Sequence, residues 1–246
     1  MEADARLSEM TYLVREDEVA RRKSASNRQN SWIYCHQAFA AAFNKSDHSV
    51  DERDSLALHL AFYLASWGML RGSSPLLQCS YKVHLGAIDT LLEPQYRPLR
   101  DISAETLCHE ENLDLLMKLK KALVKHYKGA LSSYAKGKSK YSPSDTLITK
   151  ILLGTLACVP AYDQYFVEAL GRFGLNPKQF SRTSIKAIAG FCQANTSILT
   201  QWRNACKEQY FPDMKLLDLA FWLYGEQLDN TAKSESSSRS AHSQKQ

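Results

Sequence analysis

The residues best placed to do chemistry fall in one stretch, SPSDTLITKILLGTLACVPAYDQYFVEALGRFG, residues 142–174. An apolar helix runs into a tight Val159-Pro160 turn, and Asp163 follows in the first turn of the next helix, at about its fourth residue. The partial positive charge of a helix N-terminus keeps a carboxylate there ionised. Tyr162, Tyr165 and Phe166 surround it. The bland alternative is an acidic residue that only stabilises its helix. A second constellation is ASWGMLRGSS at 65–74, where an apolar helix ends in Trp-Gly and a short Arg-Gly-Ser-Ser turn leads to Pro75. Trp67 is suited to stacking on a planar ligand, and Arg71 to facing a cleft or a phosphate. The alternative here is a tight interhelical turn around a core tryptophan.

A third feature is charge. The net charge is +5, yet residues 118–140 hold eight lysines and no carboxylate, so the rest of the chain is net negative. A block of this kind neutralises phosphates, or it is a solvated helix end with a lysine-rich loop. Other chemistries leave no trace. There is no Walker A, GxGxxG, GxSxG or HExxH pattern. The six cysteines form no CxxC pair and lie no closer than 14 residues apart, which predicts small core residues and no metal site. His59, within an apolar helix, reads as a core residue.

The elements that must position these groups read as helices throughout. The patterns place them at 31–44, 55–70, 74–92, 103–128, from 142 to about 158, from Pro160 to Gly171 or Gly174, and at 182–194, 196–209 and 213–227. Residues 55–70 are apolar nearly all round, which predicts a buried helix. Ser142 is the expected cap of its helix, with Pro143 as first residue and Asp145 at the third position. In 213–227, Trp222 and Tyr224 read as core or lobe-interface residues and Asp218 as a capping or pairing group. No alternating strand pattern persists, and no repeat of 20–50 residues is visible. The expectation is an all-α, two-lobed helical domain of about nine or ten helices over 29–229. A charged arm or helix at 1–28 precedes it, and a disordered serine-rich tail at 230–246 follows. Without a run of about 18 apolar residues nothing spans a membrane. The mixed-charge 1–23 lacks a signal h-region, so a cytoplasmic monomer is expected.

The order of capped helix, T-K, apolar helix, V-P-x-Y-D and aromatic helix resembles the helix-hairpin-helix DNA glycosylases, most closely the 8-oxoguanine glycosylase-like fold, over about 142–227. MKLLDLAFWLYGEQ at 214–227 resembles the closing helix of small relatives of that fold. In place of the family's G-x-G hairpin, 141–149 carries no glycine pair. The resemblance implies that Asp163 is the catalytic carboxylate and Lys150 the lysine that attacks C1′ in bifunctional members. Trp67, Arg71, Tyr162 and Tyr165 would form the base pocket, with Tyr81, Lys82 and the Gln95-Tyr96-Arg97 loop as further contacts. Lys125, Lys128, Lys136, Lys138, Lys140, Ser142 and Ser144 would contact the DNA backbone.

The chemistry fits the residue types. Breaking an N-glycosidic bond builds oxocarbenium character on the sugar, which a carboxylate stabilises. The base leaves the stack, and aromatic faces replace its neighbours. The expected activity is excision of a modified or damaged base from duplex DNA with no cofactor, in repair or in bacterial defence against phage DNA with modified cytosines. The alternatives are a non-catalytic DNA-binding module on the same fold, or an all-α protein–protein adaptor.

Overall fold

Helix α7 (Asp145–Thr155) is the central element of the first of two helix groups: every residue from Leu147 to Thr155 is buried. In the computed structural model, which describes residues 2–135, 141–175, 179–206 and 210–243 and side chains through 236, the described residues are helical with no strand. The order is α1 (Glu2–Lys23), α2 (Asn30–Phe43), α3 (Val50–Ser66), α4 (Leu85–Leu91), α5 (Ala104–Leu107), α6 (Glu110–Leu131), α7, α8 (Gln164–Gly171), α9 (Arg182–Ala194), α10 (Thr196–Ala205) and α11 (Asp213–Ser243), with short 3-10 turns between. Helices α2, α3 and α6 pack on α7, and α4 bridges α3 and α6. A second group, α1, α8 and α10, packs around α11. One continuous apolar core joins both groups, and no described helix is long and apolar enough to cross a membrane.

Several expected elements differ, each for a local reason. The arm at 1–28 contains a docked helix: α1 buries Leu7, Met10 and Val14, and the Trp202 indole donates to Thr11 Oγ1 at 3.0 Å. Helix 74–92 is instead two 3-10 turns, Pro75–Gln78 and Tyr81–His84, ahead of α4, because Cys79 and Ser80 are extended. Helix 103–128 breaks at His109, which is extended, and the Asn112 amide donates to the Thr106 carbonyl, which also accepts from His109 N. Ser144, not Ser142, caps α7 by accepting from Leu147 N, so Asp145 is the first helical residue. Helix α11 continues to Ser243 rather than ending at 227, so the tail expected to be disordered from 230 is helical to Ser243, with local bonds such as Asp229–Lys233 along its polar part. Helix α3 is only half buried: Leu58 and Phe62 are exposed, and His59 with them.

Pro160 opens no helix. Ala157 takes a left-handed φ of 50°, and 158–162 are not helical: the next helix begins at Gln164, where Asp163 caps it, and Thr146 takes the Tyr162 carbonyl. Ala161 N donates to Asp218 Oδ1 and Tyr162 N to Thr149 Oγ1, both at 2.9 Å. Burial also fixes the state of a histidine. His84 shares a 2.8 Å bond with Tyr127, and burial, then the nearby His126, lower its pKa to about 4. A neutral histidine with a depressed pKa contributes stability that is complete above its unfolded pKa of about 6.5 and is lost as pH falls toward 4. Urea unfolding between pH 7 and pH 4 should therefore show a loss on the order of 3 kcal/mol that His84→Gln removes.

Candidate functional site

The C-terminus of α3 sets one wall of a pocket. Gly68 adopts φ 73°, which a residue with a Cβ resists. Its amide bonds Ala65 O and the Met69 amide bonds Leu64 O, at 3.0 and 2.9 Å, completing a Schellman turn. That turn leaves Trp67 at the helix end, its indole NH donating to Ser31 Oγ at 3.1 Å. Trp222 of α11 meets the Trp67 ring edge-on at 5.2 Å between centroids, and Tyr165 of α8 meets Trp222 at 5.5 Å.

The floor comes from α7 and the start of α8. Asp163 is the N-cap of α8: its Oδ1 accepts from Phe166 N at 3.1 Å. Its Oδ2 accepts from Lys150 Nζ at 2.9 Å. The Lys150 side chain is 4% exposed and that of Asp163 15% exposed. Lys150 Nζ also lies 5.2 Å from the Trp67 ring centroid, a cation–π contact. The pocket encloses about 400 Å³ and is lined by Trp67, Lys150, Asp163, Tyr165, Trp222 and Arg71, among others. That volume lies within the range of about 300–1,000 Å³ usual for small-ligand pockets.

Behind this floor sits a second ion pair, both members buried. Lys215 Nζ bonds Asp218 Oδ2 at 3.1 Å and approaches the Trp32 and Trp67 rings at 5.4 and 5.7 Å. Burial pushes the Asp218 carboxyl up and Lys215 draws it back down, while the Asp163 charge adds to the rise. Asp218 also holds the Ala161 amide, two residues before Asp163.

Most residues singled out in the sequence gather here, and some do not. Asp163, Lys150, Trp67, Arg71 and Tyr165 line the pocket. Tyr162 does not: it is buried, its hydroxyl is bonded to Ser184, and its ring packs on Phe166 and Phe180, with its backbone tied to Thr146 and Thr149 of α7. Lys125 and Lys128 line a separate groove along α6 with Lys118, Lys120, Lys121 and Phe180. The first turn of α7 stands between the two concavities, since Asp145 binds Lys120 at 3.0 Å while Thr146 lines the pocket. Ser144 is occupied as a cap and Ser142 is exposed. Lys136, Lys138 and Lys140 lie outside the described residues. Tyr81 and Lys82 bind Asp54, and Arg97 binds Lys45 O, all outside the pocket lining.

Sequence reasoning missed Arg28, Trp222 and Glu226. The Arg28 guanidinium stacks over Trp222 and Trp67 at 4.9 and 5.4 Å and pairs with Glu226 at 3.1 Å. The Trp222–Glu226 spacing on one helix face was a readable signal; a lone Arg28 ahead of α2 offered none. Among the described residues no cluster of three His, Cys, Asp or Glu side chains is disposed to hold a metal ion.

Chemically, the pocket offers a carboxylate and an amine in contact, flat aromatic walls and two guanidinium groups at its mouth. Comparison with family models, with curated proteins and with solved structures returns no match. The site's geometry therefore carries the functional argument alone. That geometry depends on close packing of α11 on α8. A Cβ at Gly225 would overlap the backbone carbonyl of Tyr165, which has nowhere to flex. Gly225→Ala should cost about 1–3 kcal/mol in urea unfolding and should shift the tryptophan emission as Trp222 and Tyr165 part.

Proposed function

We propose that the protein is a DNA glycosylase that takes a modified or damaged base into the Trp67–Trp222 pocket and breaks its N-glycosidic bond. The observation that carries this reading is the contact of Lys150 with Asp163, thirteen residues apart in sequence, at the floor of an aromatic-walled pocket. A flipped base gains stacking on the indoles and Tyr165 in place of the stacking it loses in the strand. As the bond to the base breaks, positive charge grows on the sugar, and the fixed Asp163 carboxylate stabilises it. The electron pair of the broken bond leaves with the base; water then adds to C1′ and gives its proton to the departing base, or the Lys150 ammonium first gives its proton to that base and the freed amine forms the new bond to C1′. Arg28 and Arg71 at the mouth, and Lys125 and Lys128 in the α6 groove, would meet backbone phosphates. Such contacts make binding fall steeply with salt.

A non-catalytic DNA-binding module with the same pocket is the second reading, and the α6 lysines favour it equally. One experiment separates the two. Undamaged, oxidised, alkylated and modified-cytosine DNAs are incubated with the protein, and abasic sites are scored by alkali cleavage. Asparagine caps a helix as well as aspartate, so Asp163→Asn keeps the turn while removing the negative charge. The expected result is base release from at least one DNA, reduced at least a hundredfold by Asp163→Asn, with DNA binding retained. Binding without release from any of them would overturn the enzymatic reading.

A further inference from the structure

Beside the pocket lies a second, smaller cavity of about 190 Å³, lined by Gly72, Ser73, Ser74, Gln78, Tyr134 and Tyr141, among others. Consecutive residues join the two spaces: Arg71 lines the first and Gly72 the second. Three features suit the second cavity to a ligand. Gly72 turns with φ 59°, and no atom lies within 4 Å of the place a Cβ would take, so its backbone is open to close approach. Ser74 precedes a 3-10 turn without capping it by its side chain, and among the described residues no hydrogen bond engages the Ser73 hydroxyl or the Gln78 amide. The Tyr134 ring is 45% exposed at the rim, in the turn after α6, while Tyr141 forms the buried back wall.

We propose that this cavity is a subsite for the nucleotide next to the one in the Trp67–Trp222 pocket, and that the ligand is therefore a locally unpaired strand rather than an intact duplex. The inference rests on the glycosylase reading. An aromatic face at the rim stacks any base, because every base has a π-face, while open hydroxyls and an open glycine backbone meet sugar and phosphate. A base stacked on Tyr134 has left the helical stack, as has its neighbour in the pocket. Two adjacent extruded nucleotides are cheap for a single strand and costly for a duplex, which pays unpairing and unstacking for each.

The test uses the full chain and short fluorescent DNAs carrying a central tetrahydrofuran abasic analogue, which needs no knowledge of the excised base. They are prepared as single strands and as fully paired duplexes, with the nucleotide on either side intact or itself replaced by tetrahydrofuran. The single strand should bind about tenfold or more tighter than the duplex. Removing the base on one side should weaken strand binding between about fivefold and a hundredfold, and removing the base on the other side should not. Tyr134→Ala should abolish that dependence, and Tyr134→Phe should retain it. Equal tolerance of both neighbours, a dependence unchanged in Tyr134→Ala, or a duplex bound as tightly as the strand would overturn the subsite while leaving the pocket reading in place. Indifference between tetrahydrofuran and intact DNA would overturn the pocket reading and the subsite with it.

Discussion

The site turns on one constraint: an ammonium group and a carboxylate, Lys150 and Asp163, are held together almost out of water. Moving two charges into a protein interior costs several kcal/mol per ion, and their attraction offsets this only when the geometry is good and other groups complete the shell. Here the shell is supplied piece by piece. The Phe166 amide takes one carboxylate oxygen and Lys150 the other, and the Trp67 face covers the ammonium. Each of these groups comes from a different element, so α3, α7 and α8 must all be in register for the pair to exist.

Helix α11 enforces that register. Its Lys215–Asp218 pair grips the Ala161 amide and faces Trp67, so the strap before Asp163 and the indole above Lys150 are tied to the same buried charges. Its Trp222 completes the aromatic wall, and Gly225 lets it lie directly against the Tyr165 backbone. A chain folding for stability alone gains little from two buried ion pairs, since apolar side chains of the same volume often do better. Their concentration beneath one pocket is what singles out this part of the molecule.

How much of this was legible in the sequence follows from the range of each interaction. Helical periodicity is local, so the all-helical architecture could be read directly, and α9 falls on the residues its pattern marked. Asp163 stood out because a turn is visible one residue at a time, whereas Lys150 was marked only by the resemblance. The path of 157–162 was not legible. Pro160 reads as a helix opener, yet Thr146 takes the Tyr162 carbonyl and the Asp163 carboxylate takes the Phe166 amide, so the helix starts at Gln164. Tyr162 turns inward through bonds to Thr149 and Ser184, 13 and 22 residues away. Arg28 and Trp222 joined the site through tertiary stacking, which no local pattern encodes. In α3 the apolar residues outnumber the buried positions, so composition overstated its burial.

The account stands or falls on whether Lys150 and Asp163 act as one buried unit. A double-mutant cycle in urea unfolding tests this directly. Lys150→Met removes the cation, and Asp163→Ser removes the carboxylate while keeping a side chain able to cap α8. If the pair is the unit described, each single variant loses about 3 kcal/mol by stranding its partner, and the double variant loses little more than either, a coupling above about 1 kcal/mol. Losses that add to within about 0.5 kcal/mol would show two independent residues and contradict the account.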